Sequence, residues 1–335
     1  MEENIKFPNT IYIENGKKSI SIDIERPFYN ILSINNIDYI PYYLNNLNPG
    51  NKGGNSYVLK LIKAQEYDEE EGYPEEPDLV MKICKFYKNK FSEHDKSLRF
   101  QKEIEALIDC NESKLPNIIE VRHHGLIECK VNKTFNTFFR YYCMDYAEFD
   151  LPEFLTQNNL NLYERVELCI EICQSLKQLW KKGYYHRDIK PDNILFINQT
   201  WRISDLGLSQ HRDMNVEIDS EGDWIGPRGW MSPESMNKFL AETKPWNKLF
   251  DFKIDHQSDI FQLGKVFWYI FQGNSPEAGI RRIDFKWNND SLYQIVRTML
   301  NNSKLKRYKE IDEVIFLLKK IHVSILQSNE TIMLY

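Results

Sequence analysis

The segment YYHRDIKPDNILF, residues 184–196, sets a carboxylate, an ammonium group and an amide close together as Asp188, Lys190 and Asn193. A second carboxylate, Asp205, follows in the stretch ISDLG. Asn193 and Asp205 offer hard oxygen atoms, the ligand type that suits Mg²⁺. An ammonium group such as Lys190 offsets negative charge that grows on a group in transfer. The competing reading is a charge-rich turn that stabilises itself by hydrogen bonds.

The order of the neighbouring motifs separates these readings. His186-Arg187-Asp188, Ser204-Asp205-Leu206-Gly207 and Ser232-Pro233-Glu234 follow one another along the chain. They resemble the His-Arg-Asp catalytic loop, the Asp-Phe-Gly motif and the Ala-Pro-Glu motif of eukaryotic-type (Hanks-type) serine/threonine protein kinases. A single His-Arg-Asp triplet is common by chance, whereas three ordered motifs at family spacing are not. Leu206 replaces the usual Phe conservatively. In composition and style the chain is similar to free-standing bacterial or phage-related members.

That resemblance implies ATP as phosphoryl donor, Mg²⁺ as cofactor and a protein as acceptor. It assigns Asp188 to the acceptor hydroxyl, Lys190 to the transferred group, and Asn193 and Asp205 to the metal. Phosphoryl transfer asks the protein mainly to hold phosphates, supply cations and orient a hydroxyl. Upstream, Lys82 in VMK matches the strand lysine that holds the α and β phosphates, and Glu103 in RFQKEIEAL matches its helix partner. The glycine-rich register falls on Asn51, Gly53, Ser56 and Val58, with one of the family's three glycines in place. Val80, Met144 and Leu195 are implied as walls of the adenine pocket, and the backbone of Asp145 and Ala147 as its edge contacts. Asp150 is near the ribose-contacting position and equally suits a helix N-cap. Asp259 and Gly264 in SDIFQLG resemble the helix that supports the catalytic loop, and Arg307 the partner of Glu234.

These groups need elements to carry them. TIYIENGKKSISIDI alternates apolar and polar residues about Asn15-Gly16, a hairpin signal. FYNILSI and IDYIPYYL form a second pair about Asn35-Asn36, and SYVLKLIKA and DLVMKICKF read as strands. The acidic connection between these last two, EYDEEEGYPEEPD, is expected to be a solvated loop that neither packs nor catalyses. A helical period begins at Asp95, and helices are expected over 161–182, 256–272, 288–300 and 310–326. The pattern is α+β in two lobes. The resemblance divides it into an N-terminal extension over 1–37 whose hairpins cover the small lobe, a small lobe over 38–145 and a helical large lobe over 146–335.

Composition sets outer limits. The 335 residues carry a formal net charge of −6, which argues against a general affinity for nucleic acid or an anionic membrane. No apolar run is long enough for a membrane span and the start lacks a signal-peptide pattern, so a cytoplasmic location is expected. The six cysteines show no metal-ligand spacing, and core packing is expected for Cys169 and Cys173. Oligomeric state and physiological substrate are not encoded in any motif.

Lys190 is of the serine/threonine type, which favours a serine/threonine kinase. A small-molecule phosphotransferase and a nucleotide-binding pseudokinase are the alternatives. One stretch stands apart: NVEIDSEGDW carries Glu217, Asp219, Glu221 and Asp223 around Ser220, between Asp205 and Glu234. Its position is that of the family's activation segment. Either Asp219, Glu221 and Asp223 offer Arg187 a built-in anionic patch in place of a phosphate, or they form a solvated loop.

Overall fold

Two antiparallel strands flank Asn15-Gly16: β1 (Glu2–Glu14) and β2 (Lys17–Ser21), with Glu14 opposite Lys17 and Thr10 opposite Ser21. The turn itself lies outside the residues that the computed structural model describes, which are 2–14, 17–44, 55–88, 93–213, 225–227, 229–243, 251–276 and 279–333. A second hairpin joins β3 (Leu32–Ile34) to β4 (Ile37–Tyr43) through Asn35 and Asn36, at φ 49° and 61°. Two consecutive positive φ values make a tight hairpin turn, and asparagine tolerates them better than most residues. β5 (Ser56–Lys63), β6 (Leu79–Lys88), β7 (Val121–Val131) and β8 (Phe135–Met144) complete an eight-stranded sheet in the order β2-β1-β7-β8-β6-β5-β4-β3. β1 runs parallel to β7, with Glu2 opposite His124. The extension thus continues the sheet at its edge.

Alternation along these strands separates two faces. Tyr57, Leu59, Leu61, Met81, Ile83, Tyr141 and Cys143 lie on one side and join Ile5, Ile11, Ile20, Leu32 and Ile34 in one buried cluster. Because members from β1 and β2 meet members from β3, the sheet curls until its ends share a core. Tyr43 fastens that closure: its hydroxyl accepts from the Ile22 N–H at 3.0 Å and donates to the Ile20 carbonyl at 2.8 Å. Each fully buried Leu or Ile contributes about 1.5–3 kcal/mol. The other side of the same strands carries Val58, Val80, Lys82, Tyr142 and Met144. Helix α1 (Asp95–Glu112) lies against β6, β7 and β8 and brings Glu103 to that side.

The acidic connection departs from expectation. Within residues 66–78 the ring of Tyr73 stacks on Tyr42 at 4.8 Å and meets Tyr67 at 5.4 Å. The Tyr42 hydroxyl donates to the Pro74 carbonyl at 3.0 Å, and the Asp78 carboxylate accepts from the Lys63 N–H at 2.7 Å. Together with Ile40 and Ile62 these tyrosines form a satellite core on the strands. The loop is docked, because two aromatic side chains and its backbone carbonyls find partners that its charge content does not announce. Tyr73→Ala is expected to cost about 2 kcal/mol through lost stacking and a partial cavity. Urea denaturation should show a lower midpoint for Tyr73→Ala than for a Glu70→Ala control; equal midpoints would contradict the docking.

Residues up to Glu112 with Ile119–Glu148 form one compact unit, and Ser113–Ile118 with the chain from Phe149 onward form another. The second is mainly helical: α2 (Leu151–Gln157), α3 (Leu162–Lys181), α4 (Pro233–Thr243), α5 (His256–Gln272), α6 (Asp290–Met299) and α7 (Ile311–Met333). Its strands are short: β9 (Phe149–Asp150), β10 (Tyr184–Tyr185), β11 (Ile194–Ile197), β12 (Thr200–Ile203) and β13 (Gln210–His211). Local signals account for the helix ends. Asn161 and Glu164 form a reciprocal capping box that starts α3, and Gly273, at φ 80°, ends α5. Cys169 and Cys173 are fully buried in α3, where burial pushes both thiols up. All six cysteines are buried and none is in a disulfide.

Candidate active site

The loop after β10 is built on buried polar side chains from α5. The Asp259 carboxylate accepts the backbone N–H of His186 and of Arg187, each at 2.8 Å, and the Trp180 indole N–H at 2.9 Å. One turn further, Gln262 accepts from the Ile189 N–H and donates to the Arg187 carbonyl, both at 3.1 Å. These bonds hold Arg187 at φ 68°, a left-handed conformation that a side chain makes costly. Burial raises Asp259 to about 6, against the pull of its three donors. This support of the loop through Asp259 is the one that the SDIFQLG segment implies. Gln262 belongs to no motif, although a polar residue one turn from Asp259 in an apolar helix is a readable signal.

The reactive side chains follow from that frame. His186 is fully buried, and burial lowers it to about 4, so the ring is neutral. Its Nε2 faces the Ser204 carbonyl at 3.1 Å and its Nδ1 accepts the Asp188 N–H at 3.2 Å, which assigns the proton to Nε2. The Asn193 amide N–H₂ donates to the Asp188 carboxylate and to the Asp188 carbonyl, both at 2.9 Å. Lys190 Nζ lies 3.6 Å from the same carboxylate oxygen. Burial, and next the charge of Asp205, raise Asp188 to about 7, while Lys190 and Asn193 oppose the rise. The Asn193 carbonyl accepts the Ser204 N–H at 3.0 Å and hydroxyl at 3.1 Å, which fixes the approach to Asp205 at φ 61°. Asp188, Lys190, Asn193 and Asp205 thus converge. Leu195 pairs opposite Asp150 in the β11/β9 ladder, and the Asp150 carboxylate caps α2 by accepting the Glu153 N–H at 2.9 Å.

In the other unit, Lys82 Nζ lies 2.8 Å from Glu103 Oε1. Val58 stands directly opposite Lys82, Val80 opposite Met144, and Ser56 opposite Cys84, so these side chains share one face of the sheet. Ser56 is buried. The Asp145 carboxylate takes a two-point grip from Arg122, at 2.7 Å to each oxygen, in the stretch that continues to Ala147. Asn51 and Gly53 lie outside the described residues, as do Glu217, Asp219, Ser220, Glu221 and Asp223. Arg187, the intended partner of those acids, donates from Nη1 to Gln210 in β13 at 2.9 Å.

Comparison with known proteins matches residues 62–316, more than half of the chain, to the protein tyrosine and serine/threonine kinase family. The chain belongs to this family. A probable serine/threonine-protein kinase of Clostridium perfringens (strain 13 / Type A) is 23% identical over 71% of this chain and 34% of its own. Tyrosine-protein kinase SYK of Gallus gallus is 29% identical over 41% of the chain and 21% of its own. The human dual serine/threonine and tyrosine protein kinase is 31% identical over 39% of the chain and 12% of its own. The chain thus spans at most about a third of the length of these relatives. The bilobal kinase fold agrees with a strand-rich first unit and a helical second unit.

The donor set of this chain fits Mg²⁺. Asn193 directs its amide N–H₂ at Asp188 and so leaves its amide oxygen as a ligand atom, and Asp205 supplies a carboxylate. The charge of Asp205 also bears on Asp188, and a divalent cation would offset that repulsion.

Proposed function

We propose that the chain is an ATP- and Mg²⁺-dependent protein kinase that phosphorylates serine or threonine hydroxyls of a protein substrate. The observation that carries this reading is the buried hydrogen bond between Asn193 and Asp188, with the half-buried Lys190 ammonium 3.6 Å from the same carboxylate and the charge of Asp205 bearing on it. Bound Mg²⁺-ATP supplies the phosphoryl group and the cationic charge that screens it. Asp188 accepts the proton of the acceptor hydroxyl, with its carboxylate oriented by Asn193. Lys190 offsets charge on the transferred group. Asn193 and Asp205 hold the metal, and Lys82, kept in place by Glu103, serves the α and β phosphates. Val58, Val80, Met144 and Leu195 enclose the base, with the backbone of Asp145 and Ala147 at its edge; Asp150 serves the ribose, and Asn51, Gly53 and Ser56 cover the phosphates.

Lys190 supports the serine/threonine reading. The likeness to tyrosine and dual-specificity kinases supports a second one, in which tyrosine is also accepted. Phosphoamino-acid analysis of a generic protein substrate separates them: phosphoserine and phosphothreonine alone are expected, and phosphotyrosine as the main product would overturn the first reading. A cytoplasmic location is part of the proposal, because six cysteines outside any disulfide suit a reducing compartment. No helix among the described residues is long and apolar enough to cross a membrane.

Asp205→Asn probes the metal assignment. Loss of the carboxylate is expected to weaken Mg²⁺-dependent nucleotide binding by about tenfold or more, since one anionic ligand of a hard cation is removed. Calorimetric titration of ATP with and without Mg²⁺ measures this. An affinity that still rises with Mg²⁺ as in the parent protein would remove Asp205 from the metal site.

A further inference from the structure

Glu103 is 2% exposed, and its Oε1 receives both the Lys82 ammonium at 2.8 Å and the Tyr142 hydroxyl at 2.9 Å. Tyr142 stands directly opposite Lys82 in the β6/β8 register, so both side chains leave the sheet on the same face. Phe100, one turn before Glu103 on α1, lies 5.5 Å from the Tyr142 ring. The Lys82 ammonium sits 5.7 Å from the Phe100 ring and 5.5 Å from the Tyr142 ring. Two residues earlier on β8, the buried Arg140 grips the start of α1. Its guanidinium donates to the two carboxylate oxygens of Glu93 at 2.7 and 3.1 Å, and to Gln101. The helix that carries Glu103 is therefore fastened to β8 at two points, and one of them ends on the very oxygen that Lys82 uses.

We infer that Tyr142 is a positioning residue: its hydroxyl fixes the Glu103 carboxylate, and through it the Lys82 ammonium, while Arg140 holds the helix against the same strand. A buried carboxylate needs its acceptor capacity met by more than a single ammonium. An ammonium group that also serves phosphates can give Glu103 only part of its donors. The tyrosine hydroxyl adds a donor without a competing charge, so Glu103 keeps its orientation when the lysine divides its bonds. The role of Lys82 in this inference rests on the proposed kinase activity; the fixing of the pair does not.

The test uses Tyr142→Phe, Glu103→Gln and the double variant in the full chain, with two readouts. Labelling of Lys82 by an amine-reactive ester, quantified by mass spectrometry, needs no enzymatic activity. The kinetic readout is kcat and KM for ATP. Tyr142→Phe, which keeps the ring, is expected to raise Lys82 labelling about fivefold and lower kcat/KM about tenfold, with a modestly lowered denaturation midpoint because the buried carboxylate loses a donor. In the Glu103→Gln background the same change should alter either quantity by less than about twofold, because coupled residues are not additive. Unchanged labelling in Tyr142→Phe, or the same factor in both backgrounds, would overturn the inference. If the parent protein transfers no phosphoryl group, the kinase reading fails and the labelling alone decides the role of Tyr142.

Discussion

Asp188→Asn is expected to lower phosphoryl transfer by about two to four orders of magnitude, the usual worth of a positioned general base. The substitution keeps the size of the side chain but replaces a proton acceptor with an amide. It also sets an amide against the Asn193 N–H₂, which now donates to the Asp188 carboxylate at 2.9 Å. Asp188 makes no assigned contact to nucleotide, so the ATP affinity should stay within about threefold, a pattern of lost kcat at retained binding. Single-turnover rates and a calorimetric ATP titration read the two quantities separately. Transfer at the parent rate would remove Asp188 from the chemistry.

The largest effect on stability is expected from Arg307→Ala. This guanidinium has five N–H donors, and each finds an acceptor: Glu234 Oε1 at 2.6 Å, Glu234 Oε2 at 3.2 Å, and the carbonyls of Gln257, Asn301 and Asn302 at 2.7, 2.6 and 3.1 Å. Arg307 and Glu234 are both almost fully buried. Truncation leaves the Glu234 carboxylate inside the protein with Ser258 as its neutral donor. Breaking a buried pair in this way costs about 3–5 kcal/mol. Denaturation followed by the intrinsic fluorescence of the seven tryptophans should show a midpoint far below that of the parent protein; a shift no larger than that of a surface substitution would contradict the role given to the pair.

Much of this architecture was legible because local chemistry determined it. Paired asparagines required positive φ at the β3/β4 turn, helical periods gave α3, α5, α6 and α7, and motif order placed Asp188, Asn193 and Asp205 together. The Arg307 pairing with Glu234 followed from the same resemblance. Features that depend on distant pairing were hidden. Nothing in the opening residues announces that β1 runs parallel to β7, since its partners lie far along the chain. The acidic loop misled because its net charge outweighed two tyrosines whose partners, Tyr42 and the carbonyls, come from elsewhere. Tyr142 reads as one more aromatic residue in a strand until the register sets it against Lys82.

The central claim is transfer of the γ-phosphoryl group from Mg²⁺-ATP by the constellation around Asp188. The most direct measurement incubates the purified chain with ATP radiolabelled at the γ position, with and without Mg²⁺, beside a generic protein substrate and an Asp188→Asn control. Label is expected on protein only with Mg²⁺ and only with Asp188 intact. Label on neither the substrate nor the chain, with ATP still bound, would contradict the account and make the protein a nucleotide-binding module.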